Sequence, residues 1–138
     1  REGMSAIDSP FDRVDELLSG VEPGSFVIVD FHAESFQEKE ALALYLDGRV
    51  SAFAGTHTHV QTADERFLPR GTGYIGDLGM SGPVDSIIGV KVDSCLRRNL
   101  SQMPIKMEVA DGESEVCGAL FEINDAGHCT AVERIRVS

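Results

Sequence analysis

A strand–helix–strand succession over the first half of the chain constrains its fold most. Phe26–Phe31 is a continuous, β-branched-rich apolar run of strand length, the pattern of a strand buried on both faces. Ser35-Phe-Gln-Glu38 follows with capping-box chemistry, a hydroxyl that can receive an amide and a glutamate three residues later. It predicts a helix running to about Asp47, burying Ala41, Leu44 and Tyr45, with Gly48 as its stop. Arg49–Ala54 reads as the next strand. Elements at this spacing form a βαβ unit with a right-handed crossover, so the fold class is α/β.

That unit decides where three of the histidines go. In open parallel sheets, functional groups collect at the carboxyl ends of strands. The first strand runs into Asp30 and His32; the second runs through Gly55 into His57 and His59. Residues i and i+2 of extended backbone share a side, so each pair can face one ligand. Neutral imidazole suits borderline transition metals, and the ring nitrogen away from the metal needs an acceptor behind it. The His-x-His spacing alone fits two histidines of a polar surface loop equally well. A third histidine on the adjoining strand end makes His32, His57 and His59 a candidate metal site.

Asp30-Phe-His-Ala-Glu34, Tyr45-Leu-Asp-Gly-Arg-Val-Ser51, Gly55-Thr-His-Thr-His-Val-Gln-Thr-Ala-Asp-Glu65 and Asp77-Leu-Gly-Met-Ser-Gly-Pro-Val-Asp-Ser-Ile-Ile-Gly89 together resemble the second half of the YmdB-like metallophosphoesterases. These are bacterial enzymes of the calcineurin-like superfamily, similar in activity to 2′,3′-cyclic-nucleotide phosphodiesterases. The resemblance covers nearly the whole chain. It implies part of an α-β-β-α sandwich, residues 1–138 forming the C-terminal portion of one metallophosphoesterase domain. It also implies hydrolysis of small phosphate esters at a centre of two divalent metal ions, iron, manganese or zinc. His32 and His57 would ligate one metal and His59 the other. The catalytic histidine and the bridging carboxylate would come from an N-terminal half whose blocks, an N-terminal aspartate motif, a Glu-Asn pair and a Gly-Asn-His run, are not matched in this sequence. Asp30, Glu34 and Asp64 would support the ligands from behind; Asp77 is a further acid near the presumed mouth. Two other readings stay open: a mononuclear metal module using Asp30, His32, His57 and His59, and a non-catalytic fragment acting through its acidic surface.

The remaining chain is read from local signals. Asp8 or Ser9 with Pro10 starts a helix over residues 10–19, stopped by Gly20 and Pro23-Gly24. Short strands are expected at 66–69 and 73–76, and a helix from Pro83 to about Leu100. Arg97 and Arg98 near its end read as a solvated helix terminus rather than a phosphate clamp. Gly71-Thr-Gly73 lacks the Gly-Lys-Ser/Thr of a P-loop and reads as tight turns. Ile105–Ala110, Val116–Ile123 and Thr130–Val137 form an antiparallel meander, turned at Asn124-Asp-Ala-Gly127, with His128 a surface residue.

Composition narrows the partners. A net charge of −11 over 138 residues disfavours nucleic-acid polymers and anionic membranes. Small phosphorylated substrates remain compatible, because bound cations invert the local sign. Three cysteines without metal-type spacing fit reduced thiols and a cytoplasmic location. No apolar run approaches the ~18 residues of a membrane span, and no signal peptide opens the sequence. Arg1-Glu-Gly-Met4 reads as a chain entered in its middle, and strands left without a neighbour would favour a homo-oligomer.

Overall fold

The computed structural model describes residues 8–138, so the Arg1–Met4 opening lies outside the described residues. Helices α1 (Pro10–Ser19) and α2 (Phe36–Leu46) alternate with strands β1 (Ile28–His32) and β2 (Ala52–Thr56). Strands β3 (Arg66–Phe67), β4 (Gly73–Ile75) and β5 (Gly82–Pro83), helix α3 (Val92–Ser101) and the strands β6 (Ser114–Ile123) and β7 (Cys129–Val137) follow. One sheet has the order β1-β2-β4-β3, with β1, β2 and β4 parallel and β3 antiparallel to β4. The other is antiparallel, in the order β5-β6-β7.

The βαβ reading holds: β1 and β2 are parallel neighbours joined through α2, with His32 in register with Thr56. Ser35 caps α2 as its sequence requires, its hydroxyl accepting the Glu38 amide at 3.3 Å. Ser9 occupies the N-cap of α1 without a side-chain bond, and Pro10 opens the helix.

Four expectations fail. Helix α2 buries Lys39, Leu42, Ala43 and Leu46, while Ala41, Leu44 and Tyr45 stay exposed. Residues 41–46 are apolar almost all round, so periodicity could not select a face; packing against Val50, Phe53, Leu68 and Tyr74 selects it. Phe11 packs edge-on against Tyr45 at 5.3 Å, and Tyr45 and Arg49 both reach Asp15. Strand β1 is an edge strand with alternating exposure: Ile28, Asp30 and His32 face outward while Val29 and Phe31 pack on the core. It is therefore not buried on both faces.

The helix expected from Pro83 begins only at Val92. Ile88 and Gly89 take positive φ, and Ile87 and Val90 exchange backbone hydrogen bonds across a tight turn. Of the strand expected at 105–110, only a single bridge between Val90 and Val109 forms. The Asn124–Gly127 turn forms as read, with the Asn124 side chain accepting the Ala126 and His128 amides at 3.0 and 3.1 Å and His128 on the surface side of the turn.

Leu42, Ala43, Leu46, Val50, Phe53, Leu68 and Tyr74 make the core. An aromatic row crosses the sheet, Phe31 to Phe53 at 6.0 Å and Phe53 to Tyr74 at 5.8 Å. The hairpin β6–β7 lies directly on β4: a Cβ on Gly73 would stand 2.5 Å from Cys129 Sγ and 2.9 Å from Phe121. All three cysteines are free thiols. Among the described residues no helix is long and apolar enough to cross a membrane.

Candidate metal centre

Because β1 and β2 are parallel and in register, their carboxyl ends deliver His32 and the 57–59 loop to one edge of the sheet. His32 Nε2 and His57 Nδ1 lie 3.2 Å apart, with the rings edge to face. His32 Nδ1 lies 3.1 Å from the Thr56 hydroxyl, which in turn reaches Asp30 Oδ1 at 3.4 Å. A carboxylate only accepts, so the Thr56 hydroxyl can donate to Asp30 while its oxygen accepts from His32 Nδ1 in the tautomer that carries its proton there. In that tautomer His32 Nε2 presents its lone pair toward His57. This is the support a metal-bound imidazole requires on its far nitrogen.

The spacing also fits a metal. Two nitrogens bonded to one ion at about 2.1 Å, with an angle near 100°, stand roughly 3.2 Å apart. His32 and His57 thus meet the distance for a shared ion as well as for a hydrogen bond. His59 follows two residues on and borders a cavity of about 620 Å³ between the histidine loop and the β6–β7 hairpin. Among the described residues, no group of three or more His, Cys, Asp or Glu side chains is placed to hold a metal ion. The structure brings two of the three histidines together and sets the third on the adjoining cavity wall.

The acids divide by role. Asp30 reaches His32 through Thr56. Glu34 lies in the turn after β1. Asp64 Oδ1 accepts the Gly76 amide at 3.0 Å and so fixes the end of β4. Asp77 is buried: Oδ2 accepts the Thr58 amide at 2.8 Å and the Lys39 ammonium at 3.1 Å, and Oδ1 accepts the Gly79 amide at 3.0 Å. Burial alone would push the Asp77 carboxyl up. The Thr58 and Gly79 amides, the Thr58 hydroxyl and Lys39 outweigh it and hold the carboxyl below the usual aspartate range.

The loop itself is strained, since His57 has φ 142° and His59 φ 65°, both non-glycine residues at positive φ. Sequence reasoning missed Lys39, Thr56 and Gln61. Gln61 Nε2 donates to the Gly118 and Ile135 carbonyls at 2.8 and 3.1 Å, tying the histidine loop to both strands of the hairpin. A lysine inside a helix and a glutamine in a loop carry no local signal of such contacts. Thr56 could have been found from its register opposite His32.

A sequence model described as YmdB-like protein matches residues 1–135. The chain is 41% identical over a 140-residue alignment to the 2′,3′-cyclic-nucleotide 2′-phosphodiesterase of Bacillus subtilis (strain 168), covering 100% of this chain and 53% of that protein. A crystal structure of a hypothetical protein from Thermus thermophilus superposes with a TM-score of 0.85 at 41% identity, covering 99% of this chain and 53% of that one. A novel phosphatase from Mycoplasma pneumoniae gives a TM-score of 0.85 at 36% identity, covering 93% of this chain and 46% of that one. The chain spans about half the length of these relatives.

Proposed function

The chain belongs to the YmdB-like protein family, and we propose that it forms the histidine-bearing, C-terminal half of a metal-dependent phosphodiesterase. The substrates are small phosphate esters of the 2′,3′-cyclic-nucleotide kind, as the name of the Bacillus subtilis relative indicates. In this reading the mixed sheet and the β5-β6-β7 sheet belong to the α-β-β-α sandwich of a calcineurin-like domain. His32, His57 and His59 hold divalent metal, and the remaining ligands come from an N-terminal half that the relatives' greater length accommodates. Bound metal would supply Lewis-acid stabilisation of the phosphate and lower the pKa of attacking water.

The observation that carries the reading is the His32–His57 pair at 3.2 Å, with Thr56 and Asp30 aligned behind His32 Nδ1. Asp30 acts through Thr56, which favours a supporting role over direct ligation and weighs against the mononuclear alternative. His59 borders the 620 Å³ cavity, which has room for the nucleoside part of such an ester beside the reacting phosphate.

The test is manganese-dependent cleavage of a 2′,3′-cyclic mononucleotide by the full-length protein. His57→Ala and His59→Ala are each expected to lower kcat by about 10²-fold or more, with circular dichroism unchanged. Near-normal turnover in either variant would remove that histidine from the site.

A further inference from the structure

We propose that Lys39 and Asp77 are positioning residues for the histidine loop, their buried pair holding His57 and His59 in the backbone conformation that lets the rings serve one centre; this rests on the phosphodiesterase reading above. Both side chains are 1% exposed, and their charges meet at 3.1 Å. A buried ion pair is generally no better for stability than well-packed apolar residues of the same volume. Its presence therefore calls for an account in terms of what it holds.

It holds the loop. The Thr58 amide, accepted by Asp77 Oδ2, lies between the two histidines whose φ values are 142° and 65°. Backbone in such regions persists only where its surroundings over-determine it. The second carboxylate oxygen takes the Gly79 amide, and the turn there leads to Met80, which lines the same cavity as His59. One carboxylate thus fixes two walls of the site. Only a carboxylate can do so: an asparagine has a single acceptor oxygen, and its NH₂ would face one of the two N–H groups. The backbone around Asp77 is fixed in turn by Thr62, whose hydroxyl accepts the Asp77 amide at 2.8 Å. The Thr58 and Gly79 amides favour the ionised carboxylate, and Lys39 adds its countercharge at 3.1 Å. It comes from α2, the element joining the two histidine-bearing strands, so the loop is referenced to the scaffold that carries His32.

The experiment compares Asp77→Asn, Lys39→Met and Lys39→Arg in the full-length protein. It reads the His32–His57 ring contact by NMR without metal, manganese affinity by electron paramagnetic resonance, and amide-exchange protection of β2 and β4. Asp77→Asn is expected to lose the ring contact and bind manganese about 10–100-fold more weakly while the sheet stays protected. Lys39→Met moves the same way, and Lys39→Arg retains the contact. Wild-type ring contact and affinity in Asp77→Asn would overturn the proposal. So would loss of ring contact only together with loss of sheet protection in both Asp77→Asn and Lys39→Met, which would make the pair a determinant of folding instead. Failure of the unsubstituted protein to bind manganese would sink the metal reading, and the ring contact would then decide the positioning role alone.

Discussion

At Gly55 the second histidine-bearing strand approaches its neighbour more closely than any side chain permits. A Cβ there would stand 2.0 Å from the Gly76 carbonyl oxygen and 2.8 Å from Lys39 Cδ. The first is backbone of the adjoining strand end and the second belongs to a buried, ion-paired lysine, so neither can withdraw cheaply. Gly55→Ala is expected to destabilise by about 3 kcal/mol, at the upper end of overpacking costs, read from the urea midpoint. Asp77 supplies a pH dependence of known sign. Its carboxyl is held below the ordinary 3.8, so its contribution to stability is complete above that value and is lost as pH falls through the lower folded value. In urea titrations, Asp77→Asn should flatten this acid limb relative to the unsubstituted protein. An unchanged acid slope would mean that the carboxylate is as well solvated in the unfolded chain as it is paired in the fold.

The β6–β7 hairpin shows how one element is joined to the site. Its turn is local chemistry, with Asn124 accepting two amides and Gly127 at φ 84°. Its attachment is not local, since Gln61 reaches carbonyls on both strands and Gly73 admits Cys129 and Phe121 against β4. Removing the Gln61 amide leaves these partly buried acceptors without that donor. Gln61→Ala should therefore cost about 1–3 kcal/mol. It should also raise hydrogen exchange in β6 and β7 before it does so in β1 and β2. Uniform exchange across both sheets would show that the hairpin is held by its apolar contacts alone.

For the whole molecule, β1 is the exposed feature with the largest consequence. Among the described residues it is a sheet edge, and its outward face carries Ile28, 62% exposed, beside Asp30 and His32. An unpaired edge with an apolar residue on it favours strand addition by a second copy. The 138-residue chain is expected to self-associate with rising concentration in sedimentation, and Ile28→Lys to suppress this without lowering thermal stability. Monomeric behaviour of the unsubstituted chain at high concentration would contradict it. Metal retention belongs to the same scale. Two imidazoles in contact, with no third donor grouped beside them among the described residues, make a weak site. After dialysis this chain alone should hold well under one metal ion per molecule, whereas the full-length protein should hold its complement.

Local chemistry was enough to read the βαβ unit, the Ser35 cap, the Asn124–Gly127 turn and the arrival of His32 and His57 at one sheet edge. Each of these depends on interactions within a few residues or on the fixed geometry of parallel strands. The face of α2 was illegible because apolar residues surround the helix, and only packing against Val50, Phe53, Leu68 and Tyr74 distinguished Leu42 and Leu46 from Leu44. The late start of α3 was hidden because residues 87–90 close a tight turn whose form depends on positive φ at Ile88 and Gly89. Lys39 and Asp77 are 38 residues apart in sequence, and neither has a neighbour that announces the other. Their meeting, and with it the conformation of the histidine loop, was decided only when α2 packed over β2. Burial then made an unpaired charge on either side chain too costly to leave.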